Sequence, residues 1–214
     1  MKSMKHIFLM VLLFTHTVRS QDLNEYNTQR SKTDQRLMLT LGSWSAINMV
    51  GSGIGWATAG EGEARYFHQM NVMWNGVNLA LAIPGYLKAR KSTPSLSLAQ
   101  TIDEQHKTEK IFLFNTGLDV AYITSGFYLR SLASSNASDA NRLKGFGNSI
   151  LLQGGFLFLF DITAYCIHNQ HRKNKLTPVL DRLSLSTSGI GIRFELDHDR
   201  TPQRSMNPIS GDYH

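Results

Sequence analysis

Four stretches of the chain share one pattern: apolar and small residues predominate, and polar side chains return every three or four positions. They cover residues 37–58, 66–87, 111–129 and 145–167. The first two contain no Asp, Glu, Lys or Arg, and the others contain one acid each, Asp119 and Asp161. About twenty helical residues match the thickness of a bilayer's hydrocarbon layer. Charged residues bracket the stretches: Arg36, Arg65, Lys88, Lys110, Arg130, Arg142, Lys144 and Arg172. The pattern therefore predicts an all-α membrane protein with four transmembrane helices. Pro84 falls late in the second span, where it removes a backbone donor and predicts a kink.

The connections arrange these spans as two antiparallel hairpins. "AGEGEAR" (59–65) closes the first hairpin and "SLASSNASDANRLK" (131–144) the second, while residues 88–110 join them. The later part of that joining loop reads as a helical extension of the third span, with Asp103 and Lys107 spaced i,i+4. Residues 1–20 read as a signal peptide: Lys2 and Lys5 precede "IFLMVLLF" (7–14), and cleavage is expected near Ser20, an uncleaved anchor being the alternative. Residues 21–36 are then an N-terminal tail. Residues 168–214 form a basic tail with a small β-hairpin around Ser188-Gly189 and a disordered end from Asp197.

Composition changes this picture little. The mean hydropathy of −0.22 leaves a soluble helical bundle as the alternative, but polar tails and the 88–110 loop lower that average. A net charge of +6 raises the question of nucleic acid, and the placement of the cations at segment ends excludes it. Such cations instead suit a lipid bilayer as partner. The single cysteine, Cys166, rules out an intrachain disulfide. Orientation is contested. A cleaved signal puts both mature termini outside the cytoplasm, whereas Lys and Arg are more numerous on that same side, which favours the reverse. We weight the signal more, which predicts a multi-pass protein of a bacterial inner membrane.

The polar positions within the spans fall on stripes. His68, Asn71, Asn75 and Asn78 lie within about 80° of one another on a helical wheel. Asn115, Asp119, Tyr122 and Gly126 share a face of the third span, and Gln153 and Asp161 one side of the fourth. Counted from the hairpin turns, Asn48, Asn75, Asp119 and Gln153 lie roughly 12 to 16 Å deep. With Tyr122 they make a candidate mid-membrane polar cluster. His68 falls near the turn surface and forms a candidate interfacial polar site with Glu61, Glu63 and Arg65. Asp161 is expected near the opposite surface, close to His168. In the first span Gly51 and Gly55 make a GxxxG spacing, a motif of close helix contact. No HExxH, GxSxG, Walker or GxGxxG pattern opens a suitable element, so no catalytic residue, cofactor or metal site is assigned.

"GEARYFHQMNVMWNGVNLALA" (62–82), "NTGLDVAY" (115–122) and "GFGNSILLQGGFLFLFD" (145–161) together resemble an uncharacterised family of small four-span membrane proteins of Bacteroidota-type bacteria. The resemblance covers roughly residues 37–168 and implies a domain of unknown function in a membrane, without an activity, cofactor or partner.

Three functions compete. The first is an integral membrane protein with a structural or interaction-mediating role, its asparagines gluing helices together. The second is a small proton- or ion-coupled transporter, acting as a homo-oligomer through Asp119. The third is an interfacial enzyme using His68 and nearby acids, supported only by their proximity in sequence.

Overall fold

The computed structural model describes residues 2–92, 95–181, 185–186 and 189–190. It is all-helical in its main body. α1 spans Lys2–Thr58, α2 Glu63–Lys91, α3 Leu98–Leu132 and α4 Ala140–His171. A π-helical turn over Arg172–Leu176 leads into the short α5, Thr177–Asp181. The chain divides into two units, residues 1–177 and 178–214. In the second unit Leu185–Ser186 and Gly189–Ile190 pair antiparallel, Leu185 opposite Ile190. A pairing two residues long is too short to stand as the expected β-hairpin, and the rest of that expectation, with the disordered end, lies outside the described residues.

Within the first unit the two expected hairpins are present. α1 packs along α2, α3 along α4, and α2 against α4 joins the pairs. The α1–α2 turn needs only four residues, and Gly62 takes a positive φ of 150°, a conformation that side-chain-bearing residues resist. Pro84 sits inside α2 without ending it. α3 begins at a capping box, in which the Ser97 hydroxyl accepts from the Gln100 N–H and the Gln100 side chain accepts from the Ser97 N–H. The expected helical extension of the third span is real. The Asp103–Lys107 pair that motivated it is not among the ion pairs of the described residues. Capping and the burial of Thr101, Gln105 and Glu109 hold the extension instead.

Close packing uses one of the expected pair and several glycines elsewhere. Gly51 faces open space, and only Gly55 is needed, because the His68 ring lies against it. The tight backbone approaches are at Gly145, over the Glu63 carbonyl and the Phe67 N–H, and where Gly126 meets Gly147 between α3 and α4. The tail expected at 21–36 is also not free: it continues α1, and Tyr26, Asn27, Arg30 and Ser31 are buried.

The burial pattern is inverted relative to a water-soluble bundle. Among the described residues seventeen polar or charged side chains are buried against twelve apolar ones. An apolar core does exist, centred on Leu37, Leu41, Ala82, Phe112, Leu157 and Phe160. Among the residues whose burial is described, the exposed large hydrophobics, from Leu39 to Ile167, all fall within the four stretches predicted as spans. Among the described residues one helix, α4 taken through its continuation (Ala140–Leu180), is long and apolar enough to cross a membrane on composition alone.

Candidate functional site

The interior polar groups form two layers and a cap. The layer nearer the hairpin turns is centred on Asn71, which is 2% exposed. Its amide nitrogen donates to Ser52 Oγ at 2.8 Å and Asn48 Oδ1 at 3.2 Å, both on α1. Its oxygen accepts from Ser149 Oγ and from the Gln153 amide, both on α4. Gln153 in turn accepts from Trp44 Nε1 at 2.9 Å, and the Trp44 ring stacks on Phe156 with centroids 4.0 Å apart. Three helices are thus cross-linked by neutral groups. Both donors and acceptors are used, which is what a buried amide requires.

The structure brings part of the expected polar cluster together and places the rest elsewhere. Asn48 and Gln153 belong to it. Asn75, fully buried, donates to the carbonyl of Asn71 in its own helix at 2.8 Å, and its Oδ1 has no partner among the described residues. Tyr122 packs edge-on against Trp74, with centroids 4.8 Å apart. Asn71 was placed on the right stripe by the helical wheel, but the depth estimate did not single it out.

Asp119 belongs to the second layer. It lies near enough to Asp161 for each acid to influence the other's ionisation. Both acids are buried, and Asp119 Oδ2 has no partner among the described residues. Depth arithmetic on Cα positions separated these residues. Side chains lean toward the N-terminus of their helix, however, and α3 and α4 run in opposite directions, so the two lean toward each other. Two carboxyl groups this close disfavour double ionisation in a buried setting.

The cap is built from α1 residues 21–36, the first turns of α3 and the end of α4. Tyr26 donates to Gln105 Oε1 at 2.6 Å, and Asn27 to Thr101 Oγ1 at 2.9 Å. Gln105 donates to Glu109 Oε1 and to the His168 carbonyl, and Arg172 Nε reaches the same Glu109 at 2.8 Å. The His168 ring, fully buried, has Nε2 at 3.1 Å from Asp34 Oδ1 without pointing an N–H at it, and it stacks near Phe112. His171 stacks on Tyr26 at 4.4 Å. Burial, then the electrostatic influence of neighbouring His168, Lys175 and Arg30, lowers the His171 pKa. Burial raises that of the Tyr26 phenol, with Arg30 opposing. None of this cap was expected from the sequence. The signal was present in the spacing of Thr101, Gln105, Glu109, Phe112, Thr116 and Asp119, which is one continuous stripe running past the predicted end of the span.

The expected interfacial site does not assemble. Glu63 accepts from Asn148 Nδ2 at 2.6 Å, Glu61 and Arg65 are exposed, and no ion pair among the described residues joins His68 to either acid. The His68 Nδ1 has no partner there, and the ring edge lies over Gly55. No group of three or more His, Cys, Asp or Glu among the described residues could hold a metal ion.

Searches of curated proteins and of solved structures return no match. A family model does match, over residues 40–162, and takes in the amide layer and both buried acids. Since that match covers more than half of the chain, the protein belongs to DUF6992, a family of unknown function.

Proposed function

We propose that the protein is a four-span integral membrane protein whose polar interior serves helix packing, with a structural or interaction-mediating role. The observation that carries this reading is the inverted burial. Leu, Ile, Val, Phe and Met face outward from all four helices, while Asn, Gln, Ser, Asp and His fill the interior. Contiguous apolar surface of this extent is rare on soluble monomers. Lipid tails would accept it, and they would also require the interior polar groups to satisfy one another. Among the described residues only α4 is apolar enough by composition, since the other three spans intersperse Ser, Gly and Asn among their apolar residues.

In this reading residues 1–20 are a signal removed near Ser20, and the cap and both mature termini lie outside the cytoplasm of an inner membrane. Carbonate extraction followed by cysteine labelling tests it. The protein should stay in the pellet, with cysteines placed at Gly60 and Ser135 reacting from one side and one at Gln21 from the other. Release into the supernatant overturns the membrane assignment.

The Asp119–Asp161 pair supports a second reading, a proton- or ion-coupled transporter assembled as a homo-oligomer. Two neighbouring buried acids form a group that can load and release a proton within a span. Reconstituted vesicles holding a pH-sensitive dye should then show proton flux that Asp119→Asn abolishes. No flux from the wild-type protein sinks this reading and leaves the first intact.

A further inference from the structure

The geometry points to a binding site for a phosphate-bearing headgroup in a cleft at the membrane–water boundary beside the cap. α2 ends at Lys91, whereas α1 continues beyond that level and α3 restarts at Leu98. The space left where α2 stops is a cleft of about 480 Å³. It is lined by Arg30 of α1, Lys88 and Lys91 of α2, and Gln100, Asp103 and Glu104 of α3.

Arg30 is the residue that points to a ligand. Its side chain is 5% exposed, its nearest ion partner is Asp34 at 4.0 Å, and its Nε has no partner among the described residues. A guanidinium buried this deeply is normally held by bidentate contacts to an oxyanion, and here Asp34 supplies one contact at the limit of ion-pair distance while Nε is left over. Lys88 and Lys91 are exposed and free to close on the same anion. Phosphate is the chemistry that three converging cations of this type recognise. The acids lining the same cleft would repel a polyanion, so the ligand carries a single phosphate next to a positively charged group. A lipid headgroup of the aminoethyl phosphate kind has that form and would be present at this depth. The lipid source rests on the membrane reading above, whereas the phosphate chemistry does not.

The test uses the full-length chain purified in a non-ionic detergent. Binding is measured by calorimetry with three probes: dihexanoyl phosphatidylethanolamine, dihexanoyl phosphatidylglycerol and inorganic phosphate. Phosphatidylethanolamine should bind most tightly, and the exposed double variant Lys88→Gln/Lys91→Gln should weaken it at least about tenfold without changing the melting temperature. The variant Asp103→Asn/Glu104→Gln should remove the preference over phosphatidylglycerol. Inorganic phosphate binding as tightly as the lipid supports the site and makes its ligand a soluble phosphate. No binding of any probe, or binding unchanged in the lysine variant, overturns the site. Carbonate extraction of that lysine variant judges the membrane reading separately, since neither lysine lies within a span.

Discussion

The amide layer around Asn71 and the cap around Glu109 both hold helices together with polar groups, yet they are made of different material. The amide layer is neutral: Asn48, Asn71, Ser52, Ser149, Gln153 and Trp44 exchange hydrogen bonds, and no ion is present. The cap is ionic, with Arg172, Glu109, Asp34, Arg30 and three aromatic or imidazole rings. The division follows the solvent proposed for each. At mid-depth a charge has neither water nor counter-ions, so amides, which are costly to bury but carry no net charge, are the usable glue. Beyond the span ends, water and headgroups lower the cost of an ion, and charge-assisted bonds become profitable.

That contrast can be broken from either side. The largest effect is expected from Arg172→Met, which leaves Glu109, 11% exposed, without its cation while Gln105 is already committed to it. A loss of about 3 kcal/mol should appear in chemical or thermal unfolding, and Glu109→Gln in the same background should recover part of it. Asn71→Leu comes next. It strands Ser52, Asn48 and Gln153 at once, and a loss of about 2 kcal/mol is expected by the same measurement. If Asn71→Leu is neutral, the layer is decoration and the apolar packing holds the bundle.

Trp44→Phe is a smaller probe, removing one donor to Gln153 while a ring remains to stack on Phe156. It should cost about 1 kcal/mol or less. The smallest effect concerns pH and separates the regions most cleanly. The folded state holds the His171 pKa below its ordinary 6.5, so the unfolded chain takes up the proton first. His171 therefore contributes no pH dependence above about 6.5, and stability falls as the pH drops below that value. Melting temperature between pH 7.5 and 5.5 should fall in the wild type, and His171→Gln should flatten that part of the dependence. Substitutions in the neutral amide layer should leave it unchanged.

The helices were legible because their repeat is strong: the four stretches and the two hairpins follow from apolar runs and short polar turns. The interior was legible as stripes, since phase around a helix depends only on sequence spacing. Pairing across helices was not. Asn71 rather than Asn75 became the hub, and Asp161 met Asp119, because both outcomes depend on helix offset and on the lean of side chains. The cap was missed for another reason. Reading 21–36 and 168–175 as tails treated polarity as exposure, whereas Tyr26, Asn27, Gln105 and His168 are polar residues buried against one another. The interfacial site at His68 failed in the opposite direction, since neighbours in sequence were assumed to be neighbours in space.

α1 runs without a break to Thr58, and the part from residue 21 onward is a rod of roughly 57 Å. In the four-span reading that part belongs to two environments at once, and the cap requires three separate helix segments to arrive on one side of the membrane. If a single span failed to insert, the end of α4 would emerge on the opposite face. His168 and Arg172 would then be a bilayer's width away from Asp34 and Glu109. The cap therefore acts as a parity check on insertion: it can close only on a chain that has crossed an even number of times.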